Sequence, residues 1–259
     1  MNATSRTSTA AARRPATRAL APYVAELKAE LRRTWRTPAF VLPCLLFPVL
    51  FYLMFGVLLG RGHAARYLLA TYCVFGAMGP ALFGFGVQFA LDRAGGLLTL
   101  KRALPVPPLA PLLARLLMAV IFALMVAVLL ILAARLLGGV QLAPGQVCGL
   151  LGVAALVALP LGAIGLLIGA WVGADAAPAV VNLVYLPMAL LSGLWVPLSV
   201  LPTVFSTFAP LWPTWHAAQL ALPVMGEPTG GSATVHVLAL VAVTVCCALL
   251  ASRRLRRIG

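Results

Sequence analysis

Between Arg115 and Arg135 lie nineteen consecutive residues without a charge. A helix needs about 20 apolar residues to cross roughly 30 Å of hydrocarbon, and backbone inside a membrane must satisfy its own hydrogen bonds. That run is one of several. Others cover about Ala39 to Leu59, Tyr67 to Leu91, Gly145 to Val172, Pro178 to Pro197 and Val235 to Ala251. None alternates polar and apolar residues, as a barrel strand would. The pattern predicts an all-α integral membrane protein with six transmembrane helices. The composition agrees, at 63% hydrophobic and 9% charged residues over 259.

The net charge of +14 would suggest nucleic acid in a soluble protein. Here the basic residues sit at the ends of apolar runs and in the tails, where they orient the chain in a lipid bilayer. With the N-terminus inside, 16 of the 19 Lys and Arg fall on the inner side, and only Arg61, Arg66 and Arg135 fall outside. Both termini are therefore expected in the cytoplasm. The first apolar run starts too late and runs too long for a cleavable leader, so it is read as an anchor.

Four segments follow from the pattern. Residues 1–19 read as a disordered basic tail and 20–36 as an amphipathic interfacial helix. Residues 37–252 hold the spans, and 253–259 form a basic tail. In the second segment Leu20, Val24, Leu27, Leu31 and Trp35 recur every three or four residues, with Arg32 and Arg33 among the polar positions. That periodicity makes one apolar stripe, suited to lie in the headgroup plane. Between the fifth and sixth spans, Pro197, Pro202, Pro210, Pro213 and Pro223 break an apolar, Trp-rich stretch. It reads as short re-entrant helices or an interfacial cap.

The inner loop "DRAGGLLTLKRALPVPP" is the longest between spans. Asp92-Arg93 closes the second span, and Gly95-Gly96 permits a sharp turn. Leu97 to Leu104 has room for two helical turns carrying Lys101 and Arg102, and Pro105 forbids continuation. Composition alone leaves two readings, a docking helix or a solvated loop that only supplies inner positive charge. In the fourth span Gly165, Gly169 and Gly173 lie four apart, a face for helix packing or dimer contact. Gln88 and Asn182 are intramembrane amides. The five cysteines lack ligand spacing, the histidines His63, His216 and His236 are dispersed, and Asp92, Asp175 and Glu227 stand alone. No nucleophile elbow, zinc spacing or phosphate loop is present, so no catalytic residue, metal or cofactor is assigned to this chain.

Four stretches together resemble the membrane permease of ABC-2-type ATP-binding-cassette transporters: "RTPAFVLPCLLFPVLFYLMFG", "GPALFGFGVQFALDRAGGLLTLKRALPVPP", "NLVYLPMALLSGLWVPLSVLP" and "FAPLWPTWHAAQLAL". The resemblance implies a half-transporter that pairs as a homodimer and works with a cytoplasmic ABC ATPase subunit, which holds the ATP and magnesium. It implies that Asp92, Arg93, Gly95, Gly96, Lys101, Arg102 and Pro105 belong to a coupling loop. Leu27, Leu31, Arg32, Arg33 and Trp35 would make a second contact with the ATPase or the membrane, and Phe51, Gln88, Asn182 and Trp195 would line the path. The expected activity is export of a hydrophobic or amphipathic substrate (drug, lipid or lipid-linked glycan) across a bacterial inner membrane. A proton-coupled transporter or channel, a lipid-modifying enzyme and a non-transporting anchor are the competing readings. The first needs a buried ionisable group in a span, the second clustered acids or histidines at an interface, and the third shares the fold.

Overall fold

A computed structural model describes residues 16–60, 63–98, 100, 107 and 110–258, and among these the chain is helical with no strand. Helix α1 spans Ala16–Trp35 and starts four residues before the expected amphipathic segment. The rest of the expected basic tail, residues 1–15, lies outside the described residues. Four helices long and apolar enough to cross a membrane follow: α2 Pro38–Leu59, α3 Ala64–Ala94, α4 Ala110–Leu136 and α5 Pro144–Trp171. Pro38 opens α2, where a missing N–H costs nothing.

The expected fifth span differs. Helix α6 covers Ala177–Leu191, which is about 22 Å at 1.5 Å per residue. The reason is local. Gly193 takes φ 76°, its N–H bonds the Leu190 carbonyl at 3.1 Å, and the Leu194 N–H bonds Ala189 at 3.1 Å. That pair of bonds is a Schellman stop. The proline-broken stretch then folds into α7, Thr203–Phe208, and α8, Pro213–Ala221, with 3₁₀ turns around them. The last helix, α9, covers Ala233–Ile258, so the basic tail expected at 253–259 continues the final helix. Five helices thus have spanning length among the described residues, where six were expected.

Helix α3 is the centre of the bundle. In its most apolar window 89% of residues are buried, against 11% in α9. Its middle widens into π geometry at Phe83–Val87, over the glycine-rich FGFGV, and α5 packs against this segment. A Cβ on Gly165 would lie 2.9 Å from the Ala81 carbonyl oxygen, and one on Gly169 would lie 2.6 Å from that of Gly86. The glycine stripe is therefore a contact inside the chain. Its third member, Gly173, has no neighbour among the described residues within 4 Å of the place a Cβ would take.

At one end of the bundle, Arg93 on α3 donates to the carbonyls of Ala170 at 2.6 Å and Val172 at 2.7 Å, the C-terminal end of α5. At the far end, Tyr67 donates to Gly193 at 3.3 Å and Arg66 to Met225 at 2.9 Å. Helix α6 thus runs from the first end to the second. Helix α8 is tied beneath it, because Thr214 Oγ1 donates to Met188 at 3.0 Å.

The far end also corrects the reading of dispersed histidines. His216 on α8 and His236 on α9 face each other with Nδ1 atoms 2.9 Å apart, and His216 Nε2 lies 3.0 Å from the Pro210 carbonyl. A carbonyl only accepts, so His216 carries its proton on Nε2 and His236 donates from Nδ1. His236 Nε2 is then a buried acceptor without a partner among the described residues. Burial, and next the neighbouring His236, push the His216 pKa below its ordinary value, with partial relief from the Pro210 bond.

Two outcomes follow from these contacts. Gly169→Ala forces the Gly86 backbone to move and should destabilise the protein by about 1–3 kcal/mol. Gly152→Ala, at an open position, should be neutral or stabilising by up to about 1 kcal/mol. Thermal unfolding in detergent compares them. For His216, a folded-state pKa below the usual ~6.5 means that the unfolded chain protonates first. Its contribution to stability is complete above about pH 6.5 and declines as the pH falls through that value toward the lower folded one. Amide protection across residues 209–236, taken as the exchange rate relative to the intrinsic rate at each pH, should therefore fall on acidification, and His216→Gln should remove that pH dependence.

Candidate functional site: a charge cluster at the base of the inner loop

Asp92, expected to stand alone, is the centre of a cluster. It is 4% exposed at the end of α3. Arg33 on α1 reaches it with Nη1 to Oδ2 at 2.9 Å and Nη2 to Oδ1 at 2.6 Å. This two-point contact suits a planar guanidinium. Arg115 on α4 binds Asp92 Oδ2 from the other side. Its Nε lies 3.3 Å from Glu30 Oε1 on α1, an ion-pair contact without good hydrogen-bond direction, since Nε has no hydrogen-bond partner. Its guanidinium carbon stands 5.3 Å from the Phe89 ring centroid. Two carboxylates and two guanidinium groups sum to zero charge, so the cluster is neutral as a unit. Burying any one member alone would be costly.

Local sequence explains the convergence. Glu30 and Arg33 are three apart and share a face of α1. On α3, Gln88 and Asp92 are one helical turn apart, and Arg33 Nη2 also bonds Gln88 Oε1 at 3.3 Å. Arg115, expected at the border of the third span, lies inside α4 and is 2% exposed. Beside the charges, the Trp35 ring lies tilted against Phe122 of α4 with centroids 5.7 Å apart, and Leu31 packs on Val41, Met118 and Phe122. Helix α1 is thus docked against α4, beyond the headgroup placement that its stripe suggested. Leu27 is half-buried, Arg32 is exposed and Trp35 is half-exposed.

The cluster clamps the inner loop at its two ends, Asp92 before it and Arg115 after it. Arg93 extends the clamp to α5 through Ala170 and Val172. Between the ends, Gly96 adopts φ 71°, where a side chain would be strained. The Leu100 N–H bonds the Gly96 carbonyl at 3.1 Å, a helical turn leaving Leu100 60% exposed. Gly95 is exposed. Lys101, Arg102 and Pro105 lie outside the described residues.

The four wall candidates do not form one site. Gln88 belongs to the charged recess with Glu30, Arg33 and Thr34. Phe51 and Trp195 meet with ring centroids 5.8 Å apart, and Phe75 stands edge-on to Trp195 at 5.7 Å. Phe75 also borders a cavity of about 210 Å³ with Phe83, Tyr185 and Asn182. Asn182 donates to Pro178 of its own helix at 3.1 Å. Trp195 Nε1 is buried with no acceptor among the described residues. Arg33 and Arg115 as partners of Asp92, and Glu30 as a partner of Arg115, were not legible in the sequence, although an intramembrane-edge arginine signals that a counter-ion exists.

Asp92→Ala leaves Arg115 buried beside one carboxylate and should cost about 3–5 kcal/mol, as breaking a buried pair does. Adding Arg115→Met should recover part of that loss. Thermal unfolding of the single and double variants measures the recovery; equal instability in both would contradict the pairing.

Residues 23–225 match the family model described as ABC-2 type transporter. No individual curated protein matches the chain. The matched region covers most of the sequence, and it includes the charge cluster, the inner loop and the aromatic cavity. The chain therefore belongs to the ABC-2 type transporter family, as a multi-pass membrane protein.

Proposed function

We propose that this chain is the permease subunit of an ATP-driven ABC-2 exporter, moving a hydrophobic or amphipathic substrate. The observation that carries the reading is the closed base of the inner loop. Asp92, Arg115, Arg33 and Glu30 join α1, α3 and α4 at one point, and Arg93 adds α5. A force on the loop is therefore shared by four helices. A solvated loop serving only as inner charge would not need such a base.

A separate ABC ATPase docks on the loop through Gly95, Gly96, Lys101, Arg102 and Pro105. Asp92 and Arg93, which face inward, position the loop and make no docking contact. Leu27, Leu31 and Trp35 hold α1 on the bundle, and Arg32 is left for the ATPase or the headgroups. ATP and magnesium bind the partner, whose closure moves the loop and tilts the spans. Helix α6 makes the sixth crossing, completed at the far end by α7 and α8. Two copies pair in a bacterial inner membrane with both termini cytoplasmic. The substrate passes the Phe51–Trp195–Phe75 surface and the cavity at Asn182.

The test is a mild-detergent pull-down of the tagged protein from its own membrane, with mass spectrometry of what co-purifies. The expected outcome is a P-loop ATPase at a ratio near one to one, lost when Lys101 and Arg102 are both changed to Glu while membrane insertion is unchanged. Recovery of no ATPase, under conditions that preserve a control complex, would remove the energy source and sink the reading.

A further inference from the structure

We infer that the junction of α5 and α9 is a binding site for the headgroup phosphate of an anionic phospholipid, held by Arg253 and Arg254 beside Trp171. Helix α9 supplies the depth. A helix beginning at Ala233 needs about 20 residues to cross the hydrocarbon, which brings Arg253 and Arg254 to headgroup level. The helix does not stop there, and its backbone carries Arg256 and Arg257 onward through Ile258.

The charge at this junction is uncompensated. Arg254 holds its guanidinium carbon 5.1 Å from the Trp171 ring centroid, a cation–π contact that fixes its position without neutralising it. Among the described residues no carboxylate lies within ion-pair distance of Arg253 or Arg254. Asp92 is engaged by Arg33 and Arg115. Asp175, in the turn after α5, is exposed and pairs with neither arginine. Arg93 adds a third guanidinium on the carbonyls of Ala170 and Val172, flanking the same tryptophan.

The Arg254 guanidinium is held by its stem and its ring contact. Arg254 Nε is enclosed and bonds nothing among the described residues. A phosphate can take the two terminal nitrogens of that guanidinium together, with Arg253 supplying a second charge. A lipid fits better than free phosphate because the site opens sideways into the bilayer. Only 11% of the most apolar window of α9 is buried in the protein. Leu249 and Leu250, one turn before the arginines, are 54% and 40% exposed, and Trp171 is 57% exposed. Acyl chains can lie along these residues while the headgroup sits at the arginines.

The experiment is native mass spectrometry of the delipidated full chain, titrated with phosphatidylglycerol, phosphatidylcholine or inorganic phosphate. The expected result is one tightly held phosphatidylglycerol per chain, with phosphatidylcholine at least 10-fold weaker. Arg253→Gln/Arg254→Gln should weaken phosphatidylglycerol by about 10- to 30-fold, given roughly 1 kcal/mol per basic residue near a headgroup. Arg36→Gln, a basic residue of the same end outside this junction, should leave it unchanged. Equal retention of the two lipids would overturn the site, as would full retention by the double variant. Displacement of the lipid by millimolar phosphate alone would show an adventitious anion site and overturn the lipid assignment. The double variant changes only side chains at the edge of the bundle, and an unaltered melting temperature in phosphatidylcholine confirms that it folds.

Discussion

Charge at the edge of a hydrocarbon layer must be cancelled where it stands, and the cluster of Asp92, Glu30, Arg33 and Arg115 meets that constraint with two charges of each sign. Because the four come from α1, α3 and α4, the solution also fixes how those helices meet. Helix α1 could have floated in the headgroups on its apolar stripe. Arg33 and Glu30 draw it onto the bundle, and Trp35 then finds Phe122. A few side chains thus hold α1 against the bundle.

A second constraint is closeness. Helix α3 is surrounded, so its neighbours must approach its backbone, and α5 does so through Gly165 and Gly169. The approach meets the π segment Phe83–Val87 of α3, where wider turns displace carbonyls from the regular ladder. π segments inside α-helices recur at functional sites. Here the segment also presents Phe83 to the cavity beside Tyr185 and Asn182, so the packing contact and the cavity wall are two sides of the same few residues.

Five of the spans could be read from run length and charge placement alone; three have limits within three residues of those expected, while α4 begins six residues before its uncharged run and α9 continues seven residues past the expected end. These are properties of a local window. The misreadings involve partners far apart in the chain. Asp92 looked solitary because Arg33 is 59 residues before it and Arg115 is 23 after it. The histidines looked dispersed because His216 and His236 are 20 apart and on different helices. Gln88 and Asn182 looked alike as buried amides, and only the packing sends one to the charges and the other to the aromatic cavity. The short α6 lay within reach of a local reading, since Gly193 is where a left-handed stop costs least. The apolar run continues past it, and hydropathy does not see backbone geometry.

The length of α6 has a consequence for the surrounding lipid. A helix of about 22 Å beside others that exceed 30 Å gives the protein an uneven hydrophobic perimeter. On the α6 side the apolar height falls short, and the exposed Val200, Val204, Phe208 and Leu211 take up part of the difference at a shallower depth. A bilayer meeting such a rim thins locally or tilts its neighbours, at fractions of a kcal/mol per ångström. The short helix and the shallow apolar residues after it thus ask the far leaflet to thin beside Trp195 by the shape of the protein alone.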